Sequence, residues 1–162
     1  MSPGSAGILL YRRRGEPVEV LLAHPGGPFW RRRDIGAWML PKGELASDET
    51  PEAAARREFE EELGLPAHGR LQPLGRLRQR GGKWVEAFAL EGDFDPQALR
   101  SNLFELEWPP HSGRLASFPE IDRVAWYTLA LARERILPSQ LGWLDRLERV
   151  LRGDPPVTEP DA

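Results

Sequence analysis

The segment from Thr50 to Gly64 constrains this chain more than any other. Thr50 supplies an N-capping hydroxyl, and Pro51 stands at the first helical position, where no backbone N–H is needed. Residues 52–63 are mostly strong helix formers, Gly64 offers a left-handed terminator, and Pro66 blocks continuation. The spacing predicts a helix over 51–63. On it, Glu58, Glu61 and Glu62 fall at i, i+3 and i+4 and share one face, while Phe59 and Leu63 point toward a core. Like charges at this spacing cost ~0.2–0.5 kcal/mol per pair. The acids also crowd the C-terminal half, where the helix dipole disfavours negative charge. Arg56–Glu60 and Arg57–Glu61 pairs have the basic residue N-terminal, the weaker orientation. A hard divalent cation reverses this unfavourable balance, because Mg²⁺ takes carboxylate oxygens and keeps positions open for phosphates. On the helix alone, a solvated acidic face stands level with that reading.

The flanking chain alternates strand and turn signals. Ala6–Tyr11 and Val18–Ala23 read as strands around a turn at 12–17; a loop follows from His24 to Gly36, then a short apolar stretch, Ala37–Leu40, closed by Pro41. Further strands are expected at 71–79 and 84–90, joined by Arg80-Gly81-Gly82-Lys83, at 102–108, and around 124–127. Helices are expected at 129–136 and 139–152; in the second, Leu141, Leu144, Leu147, Val150 and Leu151 form an apolar stripe. This is one mixed α/β domain over residues 1–152, with 153–162 read as a disordered tail. The 22 basic and 25 acidic residues leave a net charge of −3, which argues against a broad basic surface and duplex binding. No cysteine means no disulfide and no thiolate chemistry, and no apolar run approaches the ~20 residues of a membrane span. The first residues lack a signal-peptide layout, so a cytoplasmic location is expected. A P-loop is absent from the sequence.

The residues before the helix sharpen the reading. Gly43, five residues, Glu49, seven residues, then Arg57-Glu58-Phe59-Glu60-Glu61-Glu62-Leu63-Gly64-Leu65 resembles the signature of the Nudix hydrolases at every fixed position. Phe59 is bulkier than the common aliphatic, and Asp48 stands where many members have glycine. The resemblance implies a Nudix-type α/β/α sandwich, α+β in class, with a mixed β-sheet and the signature loop–helix–loop. It also implies a metal-dependent pyrophosphohydrolase that cleaves a phosphoanhydride of a nucleoside diphosphate linked to another group. An NTP or a dinucleoside polyphosphate is the expected small-molecule substrate, attacked by a metal-activated water. The alternative is a Nudix-fold module that senses a nucleotide without hydrolysing it. The prenyl-diphosphate isomerases of this fold use a cysteine, which this chain lacks.

By motif position the resemblance implies Mg²⁺, or Mn²⁺ in its place, on Glu58, Glu61, Glu62 and the Gly43 carbonyl. Glu61, Glu62 and Arg57 are the catalytic candidates, with Arg57 expected to brace the loop or orient a carboxylate, and Glu49 to be structural. The general base is left open among Glu61, Glu62, Glu105, Glu107 and Glu120. Of 22 basic residues only Lys42 and Lys83 are lysine, and a compact ammonium suits phosphate, so both are substrate-binding candidates. Trp30, Trp38, Trp84 and Trp108 are read as packing before base stacking, and Arg31-Arg32-Arg33 as a solvated loop before a polyphosphate guide. His24, His68 and His111 show no metal spacing and receive no role.

Overall fold

The computed structural model describes residues 4–13, 15, 17–79 and 81–154. Strand β1 (Ser5–Arg13) is the axis of the molecule. It pairs antiparallel with β2 (Val18–Pro25) and with the short β3 (Lys42–Glu44), and parallel with β5 (Trp84–Glu91). With β4 (Gln72–Arg78) on one edge and β8 (Ile121–Thr128) on the other, the main path runs β4-β5-β1-β2-β8. A second, two-stranded sheet pairs β6 (Leu103–Glu107) with β7 (Leu115–Pro119).

The period-two alternation of β1 explains the layers. Ile8 and Leu10 face helix α1 (Pro51–Leu63), joining Ala54, Ala55, Phe59 and Leu63 in one buried cluster. Leu9 and Tyr11 face the other way, toward α2 (Leu129–Arg135) and α3 (Leu141–Leu151), where Trp143, Leu144 and Leu147 are fully enclosed. A sheet whose central strand is apolar on both faces needs a helical layer on each side, which is the expected α/β/α sandwich with a mixed sheet.

Helix α1 has the caps its sequence promised. Thr50 Oγ1 accepts from the Ala53 N–H at 3.2 Å, and Gly64 ends the helix at φ 92° with its N–H on the Glu60 carbonyl. Two strands differ from expectation. β3 has three residues, too few to show alternation, and β7 carries its apolar residues on a half-exposed ribbon beside prolines and glycine. The last helix begins at Leu141, because Pro138–Gln140 forms a 3₁₀ turn first. Of the tail read at 153–162, positions 155–162 lie outside the described residues.

Candidate active site

Residues 43–64 close on themselves through Arg57. Its Nε and Nη2 donate to the two oxygens of Glu49 at 2.8 and 2.9 Å, and Nη2 also donates to the Glu44 carbonyl at 2.9 Å. Nη1 donates to Glu58 at 2.8 Å and to Glu61 at 3.2 Å. A guanidinium has five N–H donors, and all five are engaged inside the loop–helix unit. Glu49 also accepts the Ala46 N–H at 2.9 Å. The Arg57 bonds, aided by that N–H, hold the Glu49 carboxyl down at about 2. Arg57 is pushed further above its usual range by the same partner. The arginine thus ties the strand β3 end, the loop and two acids of the helix face into one piece. Asp48, where the family commonly has glycine, takes φ 66°, a conformation that Asp tolerates better than most residues.

Gly43 lies against the helix so closely that a methyl group built on it would stand 2.0 Å from Cδ of Glu58. Only a residue without a side chain lets that carboxylate lie over the β3 backbone. Glu62, one helical step beyond Glu61, is buried. One of its oxygens, Oε2, has no hydrogen-bond partner. Burial, then the charges of Glu58 and Glu120, push its pKa up to about 8, against the pull of the Lys42 ammonium and backbone N–H. Glu120, at the corner between β7 and β8, is raised by burial and then by Glu58 and Glu61. Its place is fixed through the backbone: Gly26 N–H donates to the Glu120 carbonyl, Glu120 N–H to the Asn102 carbonyl, and Asn102 N–H to the Glu61 carbonyl.

Four carboxylates therefore share one electrostatic neighbourhood, three from the signature helix and one from a distant corner. Among the described residues, no three His, Asp or Glu side chains converge as ion ligands do; Glu58 and Glu61 converge instead on Arg57 Nη1. The donor set still fits a hard cation: a buried carboxylate oxygen without a partner, a glycine that admits Glu58 onto the backbone, and oxygen donors throughout.

The other sequence candidates separate cleanly. Lys42 joins the cluster through its effect on Glu62, whereas the Lys83 ammonium lies 3.4 Å from Glu44 and both side chains are exposed. Lys83 follows Gly82, which helps line a cleft of about 350 Å³ with Ser5, Pro51 and Trp84, at the N-terminal end of α1. Glu107 accepts from the His111 and Gly113 N–H groups and so serves the β6–β7 turn. Glu105 is exposed on the same ribbon. Of the downstream acids, Glu120 is the one the fold brings to the helix face. Trp38 is core, with its N–H on Asp34 at 2.8 Å.

His24 is the residue that sequence reasoning missed. It is fully enclosed, its Nε2 donates to the Arg33 carbonyl at 2.6 Å, and its Nδ1 lies 2.8 Å from Asp122. Its place at the buried end of β2 was the available signal, since a polar ring there requires partners.

A family model of the NUDIX domain matches residues 1–147. The octanoyltransferase of Myxococcus xanthus is 34% identical over 131 residues, 80% of this chain but 32% of that protein. The RNA pyrophosphohydrolase of Marinomonas sp. (strain MWYL1) is 43% identical over 61 residues, 36% of this chain and 37% of the relative. This chain thus spans about a third of the length of these curated relatives. Among solved structures, a binary complex of the Caenorhabditis elegans Ap4A hydrolase superposes with TM-score 0.64 at 22% identity, covering 92% of this chain and 98% of the other. The NUDIX domain of Shewanella oneidensis NrtR, complexed with ADP-ribose, gives 0.66 at 16% identity over 93% and 89%. These likenesses show the fold.

Proposed function

This chain belongs to the Nudix family, and we propose that it is a divalent-metal-dependent pyrophosphohydrolase that splits a phosphoanhydride bond of a nucleoside polyphosphate. The observation that carries the reading is Glu62: a buried carboxylate with an unpartnered oxygen, facing Glu58 and Glu120 with Lys42 beside it. Such a group is costly to bury unless a cation answers it.

In this reading Glu58, Glu61, Glu62 and the Gly43 carbonyl hold Mg²⁺ or Mn²⁺. Bound there, the ion would neutralise the phosphate oxygens and acidify a water. Arg57 is a positioning residue: with every donor engaged within the unit, it fixes Glu58 and Glu61 and leaves phosphate recognition to Lys42. Glu120 is placed as the proton acceptor. Burial and then Glu58 and Glu61 raise its affinity for a proton, the direction a proton acceptor needs, and its backbone tie to Asn102 holds it beside the acid face. Glu61 and Glu62 remain the competing bases. Lys83 pairs with Glu44 and is assigned no phosphate contact in this reading. The similarity to an RNA pyrophosphohydrolase and to the fold of an Ap4A hydrolase supports a substrate with several linked phosphates. Retention of every signature carboxylate favours hydrolysis over mere sensing. A cysteine-free chain suits a cytoplasmic setting.

The test is phosphate and nucleotide release in Mg²⁺ or Mn²⁺ over NTPs, oxidised NTPs, dinucleoside polyphosphates, nucleotide sugars and 5′-triphosphate RNA, with Glu61→Gln as control. Metal-dependent turnover lost in the control supports the reading and names the substrate class. Tight nucleotide binding without turnover would replace it with the sensing module.

A further inference from the structure

The ribbon of β6 and β7 pairs with no strand of the main sheet, and its two ends meet at one neck, Ser101–Asn102 on entry and Glu120–Ile121 on return. A lone two-stranded ribbon is marginally stable in water, so the neck decides how its ends lie. Glu120, the acid assigned as proton acceptor, stands in that neck just before β8. The start of β8 is irregular there. His24 of β2 pairs with Arg123 and Pro25 with Ile121, which leaves Asp122 over as a bulge. A bulge bends its strand and re-aims the side chains beside it. Pro25 brings no N–H with which to close the gap.

A side chain closes the neck where the ladder is broken. The Ile121 N–H donates to the Ser101 hydroxyl at 2.9 Å. The same hydroxyl donates to the Asn102 carbonyl at 3.2 Å, and that carbonyl also accepts the Glu120 N–H at 2.8 Å. Ser101 thus holds the residue after Glu120 directly and shares the acceptor of Glu120's own amide. Hydrogen bonds linked in series in this way polarise and strengthen one another. On the other side, the Gly26 N–H donates to the Glu120 carbonyl at 2.8 Å, and a methyl group on Gly26 would stand 1.9 Å from the Pro119 carbonyl oxygen. The neck is tied to the signature helix by the Asn102 N–H on the Glu61 carbonyl at 3.0 Å. Ser101 is half-buried, and among the described residues its hydroxyl bonds backbone groups of the neck and no carboxylate.

We propose that Ser101 is a positioning residue of the reaction: its hydroxyl closes the ribbon neck across the β8 bulge and so holds the Glu120 carboxylate at the acid face of α1. The proposal rests on the hydrolase reading and on Glu120 as the proton acceptor within it. Without the hydroxyl, the Ile121 N–H loses its acceptor, the neck opens on the Ser101 side, and Glu120 moves with the ribbon. Glu58, Glu61 and Glu62 keep their places, because the caps of α1 and the Arg57 brace do not involve Ser101. A reacting group misplaced by about 1 Å can lose roughly 100-fold in rate. The loss therefore falls on the chemical step and spares the binding of metal and substrate.

The test uses the best substrate of the release screen. Ser101→Ala should lower kcat by about tenfold or more and leave KM, and Mn²⁺ affinity in calorimetry, within about twofold of wild type. Ser101→Thr keeps the hydroxyl and should return kcat to within about threefold. Glu120→Gln sets the scale with a loss of about 100-fold. Added to it, Ser101→Ala should cost no more than about twofold further, because a residue that acts through Glu120 has nothing left to act on. Independently of turnover, hydrogen exchange in chelator should be about tenfold faster at the Glu120 and Ile121 amides of Ser101→Ala, with the α1 amides unchanged. Losses that multiply in the double variant, a parallel fall in Mn²⁺ affinity, a threonine no better than alanine, or unchanged exchange would each overturn the proposal. A Glu120→Gln variant at the wild-type rate would do the same. The two readings fail in different ways. A wild type inert on every substrate removes the hydrolase and this role with it, whereas an active wild type whose kcat ignores Ser101→Ala removes this role alone.

Discussion

Replacing Glu62 with glutamine isolates the energetic cost of the acidic site on the metal-free fold. The Glu62 carboxyl has an ordinary value of 4.5 in the unfolded chain and is pushed up to about 8 in the fold, by burial first and then by Glu58 and Glu120. Between those values the folded state holds a proton that the unfolded state has released. Stability therefore falls as pH rises through the window, and is greatest below 4.5 as far as this group is concerned. At 1.36 kcal/mol per pH unit the whole window amounts to about 5 kcal/mol. Water entry and relaxation of the neighbouring acids reduce this to ~2–3 kcal/mol. Glu49 has the opposite sign: its carboxyl is held at about 2, so its contribution is complete above 4.5 and is lost only as pH falls toward 2. It adds no slope between about pH 5 and pH 8. Glutamine has the shape and hydrogen-bonding groups of the protonated acid. In urea titrations with chelator, wild type and Glu62→Gln should coincide near pH 5 and diverge by ~2–3 kcal/mol near pH 8.5, with the variant more stable. Adding Mg²⁺ should raise the wild type alone at the alkaline end, by ligand linkage. Parallel pH profiles in chelator, or a variant less stable at pH 8.5, would refute the reasoning.

Other perturbations reach the same site from different sides. Gly43→Ala should displace the Glu58 carboxylate and cut metal-dependent turnover by about tenfold or more, read as kcat/KM, because the added methyl would stand 2.0 Å from Cδ of Glu58. Arg57→Lys replaces five fixed donors with three on a flexible stem and should weaken Mn²⁺ binding by about 10- to 100-fold in calorimetry, while an unchanged affinity would remove its positioning role. Glu61→Gln and Glu62→Gln should each lower turnover at least about tenfold, and wild-type rates in both would unseat the proposed function. His24→Ala should cost ~2–4 kcal/mol in urea unfolding, since it leaves the Arg33 carbonyl without the imidazole donor, takes the hydrogen bond from Asp122 and opens a cavity in a fully enclosed place.

Local sequence determined the parts of this protein that depend on neighbours in the chain. The Thr50 cap, Pro51, the run of helix formers and Gly64 define α1 to the residue, and helical periodicity alone places Glu58, Glu61 and Glu62 on one face. The apolar run of β1, closed by the turn at 12–17, likewise announces a strand, and one buried on both faces. The brace formed by Arg57 was legible as a role, but its five bonds were not, since the Glu44 carbonyl enters through pairing of β3 with β1. Tertiary structure decided the rest. Whether Glu62 would be solvated or buried depends on what packs over α1, and no spacing within the helix encodes that. Glu120 reaches the helix face only because the β6–β7 ribbon is tied to Glu61 through Asn102. His24 finds Asp122 across 98 positions of chain, in the antiparallel pairing of β2 with β8. Periodicity reports which way a side chain points; the packing of distant segments decides what it meets, and with that its charge, its partners and its chemistry.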